Sequence, residues 1–304
     1  MKNTPLNKSA SKKGPTVRAP KMSAALTLEG RLERLRTILR DLGQVVVAFS
    51  GGVDSSLLLR VAAEELGTNV YAVIASSPTY PDREIRAARA LARKLKVRHE
   101  VIASNEMDNA AFTANPPLRC YYCKKELMSE IRAIADRVGM ATIIDGQNAD
   151  DGEDYRPGAR AAAELGVRSP LREAGLSKAD IRILSKRFGL PTWNKPAMAC
   201  LASRFPYDMP ITPESLTRVG RSEEVLQKLG FGQLRVRHHD TIARIEVLPG
   251  EIGRIIRPSV RKRIVSALKK LGYLYVTLDL SGYRTGSMNE TLGAAVLASG
   301  KRRR

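Results

Sequence analysis

Leucines at helical spacing over 26–43, LTLEGRLERLRTILRDLG, predict an amphipathic helix. The pattern then switches to short apolar runs rich in β-branched residues. VVVAF at 45–49, VYAVIAS at 70–76, RHEVIAS at 98–104 and ATIIDG at 141–146 each read as a strand. Helical periods separate them, over 55–66, 81–95 and 124–138, the last preceded by a loop that holds two cysteines. This βαβα alternation predicts the α/β class with a doubly wound parallel sheet. Such sheets bind ligands at the carboxyl ends of their strands. Three segments with chemical character, 50–56, 119–124 and 146–158, lie at or just after strand ends.

A second pattern begins near Arg204. Residues 213–231 read as a helix, 233–248 as two short strands, 259–272 as a helix and 273–280 as a strand. The expected organisation is a disordered basic tail over 1–22, a nucleotide domain over 23–203, a smaller α/β domain over 204–300 for substrate or oligomer contacts, and a second basic tail over 301–304.

The hydrophobic content, 43%, is ordinary for a soluble protein, and no apolar run approaches a bilayer span. The N-terminus lacks the apolar core of a secretory signal. Three cysteines make no disulfide framework and suit a reducing compartment, so a cytoplasmic location is expected. The net charge of +20 invites a nucleic-acid reading. Half of the excess, however, comes from Lys2, Lys8, Lys12, Lys13, Arg18, Lys21 and the terminal KRRR. The remaining charge suits phosphate-bearing small molecules as well as RNA, and nucleic acid is not the expected partner.

The run Ser50-Gly51-Gly52-Val53-Asp54-Ser55-Ser56 joins a strand to a helix. Glycines let the backbone approach a phosphate, and the helix start aims free N–H groups and its dipole at the same point. Ser50 and Ser55 or Ser56 add hydroxyl donors, whereas Asp54 suits an anion site only as a helix cap or as a partner of nucleotide-bound Mg2+. No lysine follows the glycines, so this is not the GxxxxGK(S/T) loop. It resembles the SGG(I/V)DS pyrophosphate loop of the N-type ATP pyrophosphatases, and 169–193, SPLREAGLSKADIRILSKRFGLPTW, is similar to a downstream segment of that superfamily. The resemblance implies an ATP site that takes in Ser50, Gly51, Gly52, Asp54, Ser55 and Ser56, with Ser76 and Gly146 at neighbouring strand ends.

Cys120 and Cys123 form a CxxC, and Cys200 lies in ACLASRFPY. Three thiols without a fourth ligand are poor for a closed structural zinc site. They leave open a [4Fe–4S] cluster with one free iron, a redox pair, or thiols with no role in the chemistry. Taken together, SGGVDSS, RCYYCK, DGQNADDGEDYRPG and ACLASRFPY resemble the LarE family of ATP-dependent sulfur transferases, over nearly the whole chain except its tails. One departure is Asp208, which follows Tyr207 where the family usually has glycine.

The resemblance implies adenylation of the carboxylates of a small nucleotide substrate, pyridinium-3,5-biscarboxylic acid mononucleotide, and their conversion to thiocarboxylates for the nickel-pincer cofactor of lactate racemase. Sulfur comes from Cys200 itself or from sulfide on a [4Fe–4S] cluster held by Cys120, Cys123 and Cys200. A homo-oligomer, an upstream sulfur-donor protein and ATP with Mg2+ belong to the same expectation. Asp150 and Asp151, after a strand end, are candidates for magnesium or ribose, or form a solvated turn. Arg235 and Arg237 alternate along a strand and suit the substrate phosphate. Arg204, beside Cys200, is a candidate for the same phosphate or for lowering the thiol pKa. Glu223 and Glu224 either line the site or supply favourable helix-start charge. The alternative activity is a tRNA thiolase of the same superfamily. Lesser rivals are an amide-forming synthetase, which would not need Cys200, and a non-catalytic nucleotide-binding protein.

Overall fold

The computed structural model describes residues 1, 27–152, 157–196, 199–284 and 286–292. Apart from residue 1, the two expected tails lie outside these residues, as do 153–156 of the acidic motif and 197–198 beside Cys200.

Helix α1 (Leu28–Leu42) leads into β1 (Val45–Ala48), α2 (Val53–Leu66), β2 (Val70–Ser76), α3 (Asp82–Lys94) and β3 (Arg98–Ala103). After a short α4 (Ala110–Thr113) come α5 (Arg119–Arg137), β4 (Ile143–Ile144), α6 (Pro157–Glu164), α7 (Pro170–Glu173) and α8 (Lys178–Arg187). The four strands form one parallel sheet in the order β3-β2-β1-β4. Successive side chains of a strand face opposite ways. Val45 and Val47 accordingly pack with α1, α2 and α8 on one face, and Val46 packs with Met128 and Ile131 of α5 on the other. Helices cover both faces, as the unbroken apolar strands require.

The second unit contains α9 (Pro213–Lys228), β5 (Leu234–His239), β6 (Ile242–Val247), α10 (Ile252–Ile255), α11 (Pro258–Lys270) and β7 (Tyr275–Leu278). β5 and β6 are antiparallel and β7 joins β6 in parallel, over a core that includes Leu226, Phe231, Val236, Ile264 and Leu268.

Two elements differ from the sequence expectation. β4 is only two residues long because the chain turns away at Asp145, whose carboxylate accepts from Ser169 Oγ (2.8 Å) and Gln147 Nε2 (2.8 Å). The CxxC lies in the first turn of α5 rather than in a loop. The helix begins directly after Pro116-Pro117, where the Arg119 N–H donates to the Pro116 carbonyl (2.8 Å).

Candidate active site at the carboxyl end of the parallel sheet

The turn after β1 is built by its glycines. Gly51 has φ +68°, and a Cβ there would stand 2.8 Å from Ala88 Cβ, so both backbone hand and space exclude a side chain. Gly52 caps α2 without any side-chain hydrogen bond, leaving the first amides of that helix to a ligand. Ser50 and Ser55 share a hydroxyl contact of 3.0 Å. Gly146, just past β4, is pressed against the same helix start, because a Cβ there would lie 2.9 Å from the Ser55 nitrogen. Ser76 ends β2, and its carbonyl accepts from the Ser104 N–H (2.9 Å). Ser56 is fully buried beneath the turn, and its hydroxyl has no hydrogen-bond partner among the described residues.

Asp54 does not cap α2. Its carboxylate pairs with the Lys178 ammonium and accepts from Asn148 Nδ2 (3.4 Å). A capping box of Ser177 and Asp180 starts α8, and the Lys178 N–H donates to Asp150 Oδ2 (2.8 Å). Asp151 Oδ2 accepts from the Asn148 N–H (3.0 Å). Asp54, Asp150 and Asp151 are thus gathered around Lys178 and Asn148. A second ammonium, Lys195, donates to the Gly51 carbonyl (2.9 Å) and pairs with Glu84. The sequence reading missed both lysines. A signal for Lys178 exists: a cation at the positive end of a helix dipole is unfavourable unless something else holds it there.

A cleft of about 390 Å³ opens beside this turn, at the ends of β1 and β2. Ser50, Asp145, Cys120, Cys123, Cys200 and Arg119 all line it. Cys200, 77 positions after Cys123, therefore shares one space with the CxxC and with Ser50 at the start of the glycine turn. All three are free thiols, Cys120 exposed and the other two partly buried. Burial and the nearby Cys200 push the Cys123 thiol well above its ordinary pKa. Burial also raises Cys200, against the lowering charges of Arg119 and Arg204. Both shifts favour the neutral thiol. Among the described residues no three His, Cys, Asp or Glu side chains are grouped so as to hold a metal ion.

Cys200 sits in a firmly held segment. Its carbonyl accepts from Ser203 Oγ (2.8 Å) and Arg204 Nη1 (3.0 Å), and the next N–H, of Leu201, donates to the Thr79 carbonyl (2.8 Å). Arg204 also reaches the Ala199 carbonyl (2.7 Å) and is itself gripped by Glu223, Nε and Nη2 each 2.9 Å from a carboxylate oxygen. Arg237 makes the same two-point pair with Glu246 (3.0 and 2.8 Å) and donates to the Ser203 carbonyl (2.9 Å). Arg235 is buried over the Tyr283 ring, 5.0 Å from its centre, and its guanidinium is held below the ordinary value by burial and then by Arg204. None of Arg204, Arg235, Arg237, Glu223 or Glu224 lines the cleft. Glu224 is partly exposed on α9.

Glu223→Ala leaves Arg204 buried with no countercharge. It is expected to lower stability by about 3–5 kcal/mol, whereas Arg204→Met with Glu223→Leu costs much less. Urea unfolding of the two variants compares these outcomes.

Asp208 takes φ +64°, the left-handed conformation that glycine adopts freely and that Asp tolerates better than most residues. Its N–H donates to the Asn115 carbonyl (3.0 Å), so the loop keeps a shape that suits glycine.

The asparagine synthase family model matches residues 33–128, which span the glycine turn and the CxxC. An uncharacterised protein of Synechocystis is 46% identical over 87% of this chain and 99% of its own length. Argininosuccinate synthase of Halobacterium salinarum is 28% identical over 45% of this chain and 37% of its own length. The pyridinium-3,5-bisthiocarboxylic acid mononucleotide synthase of Lactiplantibacillus plantarum is 41% identical over 90% of this chain and 99% of its own length. With that identity covering nearly the whole of both chains, the chain belongs to the LarE family of ATP pyrophosphatase enzymes.

Proposed function

We propose that the protein is an ATP-dependent sulfur transferase that converts carboxylates of pyridinium-3,5-biscarboxylic acid mononucleotide to thiocarboxylates. The observation that carries this reading is the meeting of all three cysteines with the glycine turn in one cleft. An adenylating enzyme that only made amides would have no use for that arrangement.

The α2 amides and the Gly51-Gly52 turn take the pyrophosphate of ATP, with Lys178 and Lys195 exchanging their internal partners for phosphate oxygens. Asp54, Asp150 and Asp151 are the candidates for holding Mg2+ on the nucleotide. A substrate carboxylate oxygen attacks the α-phosphorus. The new P–O bond forms as the bond to the β-phosphate oxygen breaks, and pyrophosphate leaves with that electron pair. Cys200, once its thiol proton has passed to a base, attacks the acyl carbon of the resulting acyl-AMP; the C–S bond forms as the acyl C–O bond breaks, and AMP departs with that electron pair. In the sacrificial route a base removes the Cys200 Cα proton and the Cβ–S bond breaks. Thiocarboxylate leaves and dehydroalanine remains in the chain.

The residues that would hold a [4Fe–4S] cluster are the three cysteines, which share a cleft but, as they stand, are not grouped as metal ligands among the described residues. Cys120, Cys123 and Cys200 are three soft ligands lining one cleft, and a cluster would take them as thiolates. When bound, the cluster would supply an open iron able to carry sulfide.

The test combines anaerobically prepared protein, ATP and the dicarboxylate nucleotide. Substrate-dependent pyrophosphate release and a product heavier by the exchange of oxygen for sulfur are expected. Pyrophosphate without a sulfur-bearing product would sink the reading, and release that depends on tRNA instead would favour the thiolase. About four irons per chain, lost in Cys120→Ala, would mark the cluster route. A Cys200 peptide lighter by the mass of one hydrogen sulfide after turnover would mark the sacrificial one.

A further inference from the structure

Arg119 is 5% exposed, yet no carboxylate stands within ion-pair distance of it among the described residues. Its Nη1 donates to the Ala202 carbonyl (2.9 Å) and to Asn115 Oδ1. Its Nη2 has only the Cys120 sulfur, at 4.0 Å, and its buried Nε has no partner. Two other buried arginines, Arg204 and Arg237, each fill the Nε–Nη2 edge with both oxygens of a glutamate. On Arg119 that same edge lacks a carboxylate, and the residue lines the cysteine cleft. Leaving a guanidinium desolvated without a countercharge is costly.

The arrangement is also rigid. Asn115, fully buried, fixes its amide by donating Nδ2 to the carbonyls of Pro206 (2.6 Å) and Met209 (3.1 Å), which aims its oxygen at Arg119. A donor locked in this way before its ligand arrives binds without reorganisation.

We propose that the Nε–Nη2 edge of Arg119 is a seat for a compact carboxylate, held beside Cys120 and Cys200. Planar guanidinium and carboxylate match in a two-point pair. The Cys120 thiol, exposed and rotatable, is the group that yields when the ligand enters. Resting on the function proposed above, the occupant is the substrate carboxylate awaiting sulfur. The seat itself is independent of ATP and of the pyridinium nucleotide.

The test uses the full chain without ligands and two thiol reagents, iodoacetate and iodoacetamide, which differ in the negative charge. Site-resolved alkylation of Cys120 and Cys200 is followed by peptide mass analysis. The iodoacetate-to-iodoacetamide rate ratio is expected to exceed that of free cysteine by about tenfold. Acetate should slow the iodoacetate reaction, Arg119→Met should return the ratio to that of free cysteine, and Arg119→Lys should keep part of the gain. A wild-type ratio equal to that of free cysteine, or no protection by acetate, overturns the proposal even if the variants fail to fold. So does a ratio that falls in Lys124→Met but not in Arg119→Met. A raised ratio in a protein that yields no substrate-dependent pyrophosphate keeps the seat and discards the proposed reaction. The reverse pair of results discards only the seat.

Discussion

Cys200→Ala is expected to reduce thiocarboxylate formation by at least ~1000-fold while leaving a first turnover of pyrophosphate release intact. The expectation follows from how the segment is held. The segment is fixed chiefly through backbone: the Cys200 carbonyl accepts from Ser203 and Arg204, and the following N–H donates to Thr79. Removing the sulfur leaves that frame in place and leaves the glycine turn untouched. The loss therefore reports chemistry rather than folding, in either route of sulfur supply. Rapid-quench measurement of pyrophosphate beside the product mass separates the two steps. Equal loss of both would show that Cys200 acts before adenylation.

Gly51→Ala is expected to lower kcat/KM for pyrophosphate release by about 100-fold or more. Holding alanine in the left-handed conformation costs about 1–2 kcal/mol, up to roughly tenfold or somewhat more in rate if it is relieved only by distorting the turn. The new methyl would also stand 2.8 Å from Ala88 Cβ, so α3 and the turn must separate. Ala88→Gly in the same chain removes the contact but not the backbone strain, and so is expected to recover only part of the loss. The double mutant measures how the two effects divide. Full recovery would mean that the left-handed turn is dispensable for the phosphate site.

The sheet and its order of elements were legible because the strands are continuous apolar runs separated by helical periods. That contrast is local and survives without tertiary information. The glycine turn was legible for a similar reason, since its conformational demands are met only by those residues in that order. The start of α5 was not. The sequence around the CxxC carries no capping residue, Leu118 supplies no side-chain bond, and the helix start shows only in backbone bonds to the Pro116 and Leu118 carbonyls. Arg119 and Asn115 were invisible for another reason. Their roles depend on carbonyls at positions 202, 206 and 209, which sequence distance hides. Arg204, a candidate for the substrate phosphate or for lowering the Cys200 pKa, and Arg237, a candidate for the phosphate, carry a further feature that their charge does not reveal: both guanidiniums engage buried glutamates and the backbone on either side of Cys200.

The three thiols form a triangle with one rigid side. Cys120 and Cys123 are three residues apart on α5, so helical pitch sets their separation, with Cβ atoms about 5–6 Å apart. Cys200 is held from two sides: the carbonyls of Ala199, Cys200 and Ser203 hang on Arg204 and Arg237, which pair with Glu223 and Glu246, while Leu201 and Ala202 bond to Thr79 and to Arg119 at the start of α5. One side of the triangle is therefore set by a single helix, and the other two by a segment stitched to both units. The gap into which sulfur must fit is fixed by tertiary contacts as well as by helical pitch.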